Sequence, residues 1–142
     1  GLHRFTQIFY MPEELLFKNE THGIIGSAMD VHRELGHGLT EKPYERSLAV
    51  EFEIRNIPFH QQPSCNIEYK GRQVGKYIPD LIAFTKVVID TKAITAITDH
   101  EVGQMLTYLR VTQLPVGLII NFANKSLEWK RVVLSQTQKE SQ

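Results

Sequence analysis

The sequence predicts an α/β fold of the α+β kind, a central mixed sheet of four to five strands flanked by helices. Three observations predict it. Residues 78–93 read as two apolar runs on either side of Thr85-Lys86, the pattern of adjacent strands joined by a tight turn. Three segments repeat apolar residues at the 3.6-residue spacing of amphipathic helices. One of those helices lies between the hairpin and a continuous apolar run at 115–122, and a strand–helix–strand passage implies a right-handed parallel crossover.

In chain order, residues 1–19 mix aromatic and charged side chains. Pro12 suits the first turn of a short helix, and the segment reads as a docking arm or an interface segment. Residues 20–35 read as a helix with Ile24, Ile25, Ala28, Met29, His32 and Leu35 on one stripe, ended by Gly36. His32 on that stripe reads as a core histidine with one hydrogen bond, the alternative being a role near an active site. Thr40 is placed to cap a second helix of about 15 residues, with Pro43 in its first turn. Its stripe is Tyr44, Leu48 and Phe52, with Glu41 one turn ahead on the same face. Asn56-Ile57-Pro58 closes that helix. Residues 59–69 read as extended, 70–72 as a turn, and a strand from Gln73 leads into the hairpin, so the first three strands are expected to form an antiparallel meander. Thr98 and Asp99 precede a helix over 99–111. It packs through Val102, Met105, Leu106 and Leu109, and carries Glu101, Gln104 and Tyr108 on an adjoining side. The run at 115–122 reads as a buried strand and 127–134 as a final one, before a polar tail at 135–142. One domain over 1–142 is expected.

Sixteen basic and sixteen acidic residues cancel, so composition gives no basic footprint of a nucleic-acid binder and leaves a local one open. The single cysteine, Cys65, forms no intramolecular disulfide. No apolar stretch approaches the roughly 20 residues of a membrane span. No leader pattern opens the chain. A soluble, cytoplasmic protein with no membrane association is expected.

The polar residues that stand out of place are Glu41, Asp80, Asp90, Lys92, Gln104 and Tyr108; on pattern alone Glu41 also fits a solvated acid at a helix N-terminus, and Gln104 and Tyr108 fit ordinary boundary residues. Asp90 and Lys92 share one face of a strand, and Thr91 points to the other. Charges inside apolar strands are rare unless paired or bound to metal. Three carboxylates brought together repel one another and call for a cation. All-oxygen ligands favour Mg²⁺ or Mn²⁺ over zinc, and such an ion beside a lysine suits phosphodiester hydrolysis. The sequence has no glycine-rich phosphate loop and no serine nucleophile elbow.

Pro79-Asp80, nine residues, then Asp90-Thr91-Lys92 resembles the PD-(D/E)XK nuclease signature. Gly38-Leu39-Thr40-Glu41-Lys42-Pro43-Tyr44 resembles the motif that names the GxxExxY proteins, a branch of that superfamily. Val31-His32-Arg33-Glu34-Leu35-Gly36, Gln104-Met105-Leu106-Thr107-Tyr108-Leu109 and Gly117-Leu118-Ile119-Ile120-Asn121-Phe122 resemble the same branch, over about residues 22–134. The resemblance implies a restriction-endonuclease-like core and a metal-dependent nuclease acting on nucleic acid, DNA in particular. It implies Glu41, Asp80, Asp90 and the Thr91 carbonyl as ligands of Mg²⁺ or Mn²⁺, Lys92 as the catalytic lysine, and Gln104 and Tyr108 beside the site. Two departures stand out: His37 replaces an expected proline, and Asp90 is one methylene shorter than the commoner Glu. The rival expectation is a binding module that keeps the fold without catalysis. So small a nuclease is also expected to dimerise or to borrow contacts from a partner protein.

Overall fold

The structure is a computed structural model that describes residues 16–134. The expected N-terminal arm, apart from its last four residues, and the polar tail lie outside the described residues. Among the described residues three helices and seven strands follow in order: α1 (Lys18–Leu35), α2 (Glu41–Ile54), β1 (Phe59–Gln61), β2 (Cys65–Tyr69), β3 (Arg72–Tyr77), β4 (Leu81–Ala83), β5 (Val87–Lys92), α3 (Asp99–Thr112), β6 (Val116–Asn121) and β7 (Glu128–Val133). Five strands make a mixed sheet in the order β1-β4-β5-β6-β7, with β5 and β6 parallel and the other pairs antiparallel. The β2–β3 hairpin forms a separate two-stranded sheet. This is a restriction-endonuclease-like arrangement. Among the described residues no helix is long and apolar enough to cross a membrane.

Strand alternation builds two apolar layers. Val87 and Ile89 of β5, with Leu118 and Ile120 of β6, face α1 and α2, where Ile24, Ala28, Tyr44, Leu48 and Phe52 complete one core. Val88 and Ile119 face the other way, toward Met105 and Leu109 of α3. The strand–helix–strand passage thus carries the chain across the sheet. A Cβ on Gly117 would stand 2.4 Å from the Met105 sulfur, so any larger residue there must displace the Met105 side chain that seats α3 on β6.

Several expectations are corrected. The 59–69 segment is two strands, broken at Gln62 (φ 50°). β1 then pairs with β4, not with its sequence neighbour. Phe59 packs edge-on against Phe52 in the α1–α2 core, while Cys65 and Tyr77 carry β2 and β3 to the α3 side, and a meander cannot do both. The β4–β5 turn centres on Phe84 and Thr85, each at φ 57°, with Lys86 N–H donating to the Ala83 carbonyl. Met29 and Leu35 are exposed, because the buried stripe of α1 runs through Ile24, Ile25, Ala28 and Val31. Thr40 is the N-cap of α2 but its side chain makes no capping bond. Thr98, by contrast, makes a full capping box with Glu101 at the start of α3.

Candidate active site

The β4–β5 ladder ends at the pair Leu81↔Ile89, and the next position on each strand is Asp80 and Asp90. Asp80 Oδ2 accepts hydrogen bonds from Thr91 N (2.7 Å) and Thr91 Oγ1 (2.8 Å). Thr91 itself is buried. Asp90 Oδ2 lies 3.3 Å from Lys92 Nζ, with both side chains at about one-fifth exposure (17% and 20%). Burial pushes Asp90 up to about 6; Lys92 pulls it down, and Asp80 adds to the rise. Burial works against the charge on Lys92, yet Asp90 and then Glu41 overcome it and hold its pKa above the ordinary value.

Tyr108 of α3 stands within electrostatic reach of Asp90, Lys92 and Asp80, and burial raises its phenol. Gln104 lies one turn earlier and is half-buried like Tyr108. Tyr77, at the end of β3, stacks on Tyr108 with ring centroids 3.8 Å apart and planes 12° from parallel. Burial, with Asp90 next, pushes the Tyr77 phenol strongly up. Both tyrosines therefore stay neutral beside the acids.

Glu41 sits at the N-terminus of α2 with its side chain exposed, and its charge is felt at Lys92. Its helix start is fixed by Tyr44, whose hydroxyl donates to the Gly36 carbonyl (2.7 Å) and accepts from Leu39 N–H (3.2 Å). The Tyr44 ring stacks on Phe122 at 4.4 Å. Among the described residues no group of three His, Cys, Asp or Glu side chains converges to hold an ion. Asp80 and Asp90 come together, and Glu41 is felt electrostatically at Lys92. His32 is half-buried, and its Nε2 donates to the Asn124 carbonyl (2.8 Å), a structural role. Burial pushes the Cys65 thiol up, away from a reactive thiolate.

Three supporting residues escape the pattern reading. Glu45 is only 2% exposed, and its carboxylate accepts from Gln61 Nε2 (2.9 Å), Gln62 Nε2 (3.2 Å) and Lys42 Nζ (3.1 Å). Gln62 N–H in turn holds the Asp80 carbonyl at 2.9 Å. The signal lay in the spacing: Tyr44, Glu45, Leu48, Ala49 and Phe52 are the buried stripe of α2, so Glu45 and not Glu41 is its buried acid. Tyr77 reads as an ordinary strand aromatic until α3 is placed against it. Asn121 ends the apolar β6 run fully buried. Its side chain bonds Ile94 N–H (3.0 Å), the Ile94 carbonyl (2.8 Å), Ala123 N–H (3.3 Å) and Glu128 (2.9 Å), and so pins the chain just beyond Lys92. Asn121→Ala removes a fully buried amide and its bonds to half-buried partners, and is expected to destabilise the fold by about 2–4 kcal/mol. Urea unfolding checks this; a loss below about 1 kcal/mol would mean that water replaces the amide.

Two carboxylates pressed together, one with a raised pKa, fit a divalent cation, which relieves their repulsion. Mg²⁺ commonly takes one or two carboxylates and keeps several waters, so Asp80 and Asp90 are the residues that would hold such an ion. Asp90 and Lys92 project from the α3 face of the sheet and Asp80 closes the hairpin end beside them.

This fold, with an acid pair and a lysine at the open end of a hairpin, defines a nuclease-like α/β class. The family model described as the PD-(D/E)XK nuclease superfamily matches residues 18–132, and the chain belongs to that superfamily. The solved structure of SSO0001 is similar at a TM-score of 0.52 and 15% identity, over 84% of this chain and 61% of that one. That likeness concerns the fold, and the chain spans about three-fifths of SSO0001. No curated protein sequence matches the chain.

Proposed function

We propose that the protein is a metal-dependent nuclease of the GxxExxY branch, cleaving phosphodiester bonds in nucleic acid, DNA in particular. The observation that carries this reading is the Asp80–Asp90 pair with Lys92 held charged 3.3 Å from Asp90. Asp80, Asp90 and the Thr91 carbonyl would hold Mg²⁺ or Mn²⁺, and Glu41 would act on the site from its far side through Lys92 and water. When bound, the ion polarises the phosphoryl oxygen and lowers the pKa of a water. Lys92 keeps its proton near neutral pH, so it offers a cation and hydrogen-bond donors to developing negative charge. The neutral Tyr108 and Gln104 stand on α3 beside the acids and would orient what binds there. The motif 38–44 supports the branch assignment, with Glu41 and Tyr44 in their places.

The rival reading, a non-catalytic binding module, draws on the exposure of Glu41. The two separate on metal titration and cleavage. Mn²⁺ at about one hundred times its Kd is expected to stabilise the protein by about 2.7 kcal/mol, and Asp80→Asn with Asp90→Asn is expected to abolish that gain. End-labelled single-stranded, duplex and branched oligonucleotides are expected to be cut with Mn²⁺ or Mg²⁺, and spared with chelator. Absence of both stabilisation and cleavage would sink the nuclease reading.

A further inference from the structure

We propose that the β2–β3 hairpin is a nucleic-acid-gripping arm that lays a strand's phosphates across its outer surface and feeds the strand to the Asp80–Asp90 end of the sheet. This rests on the nuclease reading above and names the element that holds the substrate. Between Asn66 and Lys76 the chain carries Lys70, Arg72 and Lys76 against one acid, Glu68. All three cations are exposed, and none makes an ion pair among the described residues. On a chain with zero formal net charge, that is a segregated basic element.

The arm also carries aromatic and apolar surface. Tyr69 is 63% exposed, Val74 62% and Ile78 55%. Lys70 Nζ lies 5.3 Å from the centroid of the Tyr69 ring, leaving the opposite ring face to stack on a base. Cations interleaved with an exposed aromatic suit a single strand, whose phosphates and unstacked bases are both within reach. The tip geometry is fixed. Lys70 (φ 50°) and Gly71 (φ 80°) both take positive φ in a two-residue turn, the form that matches strand twist, and Tyr69 and Arg72 face each other across it.

Position links the arm to the site. Its inner side is anchored, because Tyr77 stacks on Tyr108 and Cys65 packs in the same α3-side core. Asp80 follows Tyr77 by three residues, so the base of the arm is the approach to the acid pair. A strand held along the arm is led toward Asp80.

The test is fluorescence anisotropy with labelled single-stranded and duplex oligonucleotides in the presence of chelator, so that no cleavage occurs. The arm variant is Lys70→Ser with Arg72→Ser and Lys76→Ser. The charge-matched control is Arg46→Ser with Lys86→Ser and Lys130→Ser, all exposed and away from the arm. The arm variant is expected to bind single strands at least about tenfold more weakly, and the slope of log K against log salt is expected to fall by about 2–3. The control is expected to stay within about threefold of the parent. Each single arm substitution is expected to lower the slope by about one, and Lys70→Arg with Lys76→Arg is expected to keep it. Equal losses in arm and control variants, an unchanged arm variant, or no binding by the parent would overturn the proposal. Arm-dependent binding without cleavage under any metal sinks the nuclease reading and leaves the arm; cleavage indifferent to the arm cations does the reverse.

Discussion

Lys92→Ala lowers metal-dependent cleavage by about 10²–10³-fold while leaving Mn²⁺ stabilisation in place: this is the expected result if Lys92 acts on developing charge and not as a scaffold. Its ammonium stands on the strand face shared with Asp90 and is held charged by Asp90 and Glu41 against its own burial. Removing it takes away a cation and its donors without touching the oxygens proposed to hold the ion. Asp90→Ala gives the contrasting phenotype, with both cleavage and Mn²⁺ stabilisation lost. Single-turnover rates with end-labelled oligonucleotides, beside thermal melts with and without Mn²⁺, check the pair. If Lys92→Ala melts like Asp90→Ala, or cuts at the parent rate, the assignment of Lys92 fails.

Asp90→Asn is expected to make the metal-free protein more stable at neutral pH, by on the order of 2–3 kcal/mol. The sign follows from the raised pKa, about 6 in the fold against 3.8 for the ordinary group. Between those values the folded state binds more protons than the unfolded one, so stability from this group is fully present below about pH 4. It falls as pH rises toward and through 6. Asparagine resembles the protonated acid, so the two proteins should unfold alike near pH 4 and diverge above it. Lys92 is charged in both, and its pull is already contained in the value for Asp90. Urea unfolding in chelator across that range tests the point. A variant less stable than the parent at pH 7 would mean that the Asp90–Lys92 pair is a net support of the fold and not a strained site.

The sequence disclosed what depends on local periodicity. The three helices, the β4–β5 hairpin, the buried β6 run and the final strand lie close to where spacing and turn residues place them. Parallel pairing of β5 with β6 followed from the helix between them. Partner choice among the early strands did not, because alternation says that a strand has two faces and not which edge accepts it. Phe59 and Tyr77 decide that by packing into different cores. The acid pair and Lys92 stood out because charges interrupt an apolar hairpin. Glu45 did not, since a glutamate beside a tyrosine on a charged helix reads as surface. Its burial becomes tolerable only when Gln61 at the end of β1 and Gln62 just after it reach it. Asn121 likewise read as one residue of the 115–122 strand, and its value lies in the Ile94 loop it bonds.

The chain leaves the main sheet at Gln61 and rejoins it at Leu81, and these two residues are paired neighbours. Everything between them is an excursion closed at its own base. Lengthening such an excursion adds little to the entropy of closing it, about 0.6 kcal/mol for each doubling. The length of the hairpin can therefore change with small cost to the sheet, while the acids at its foot stay where they are.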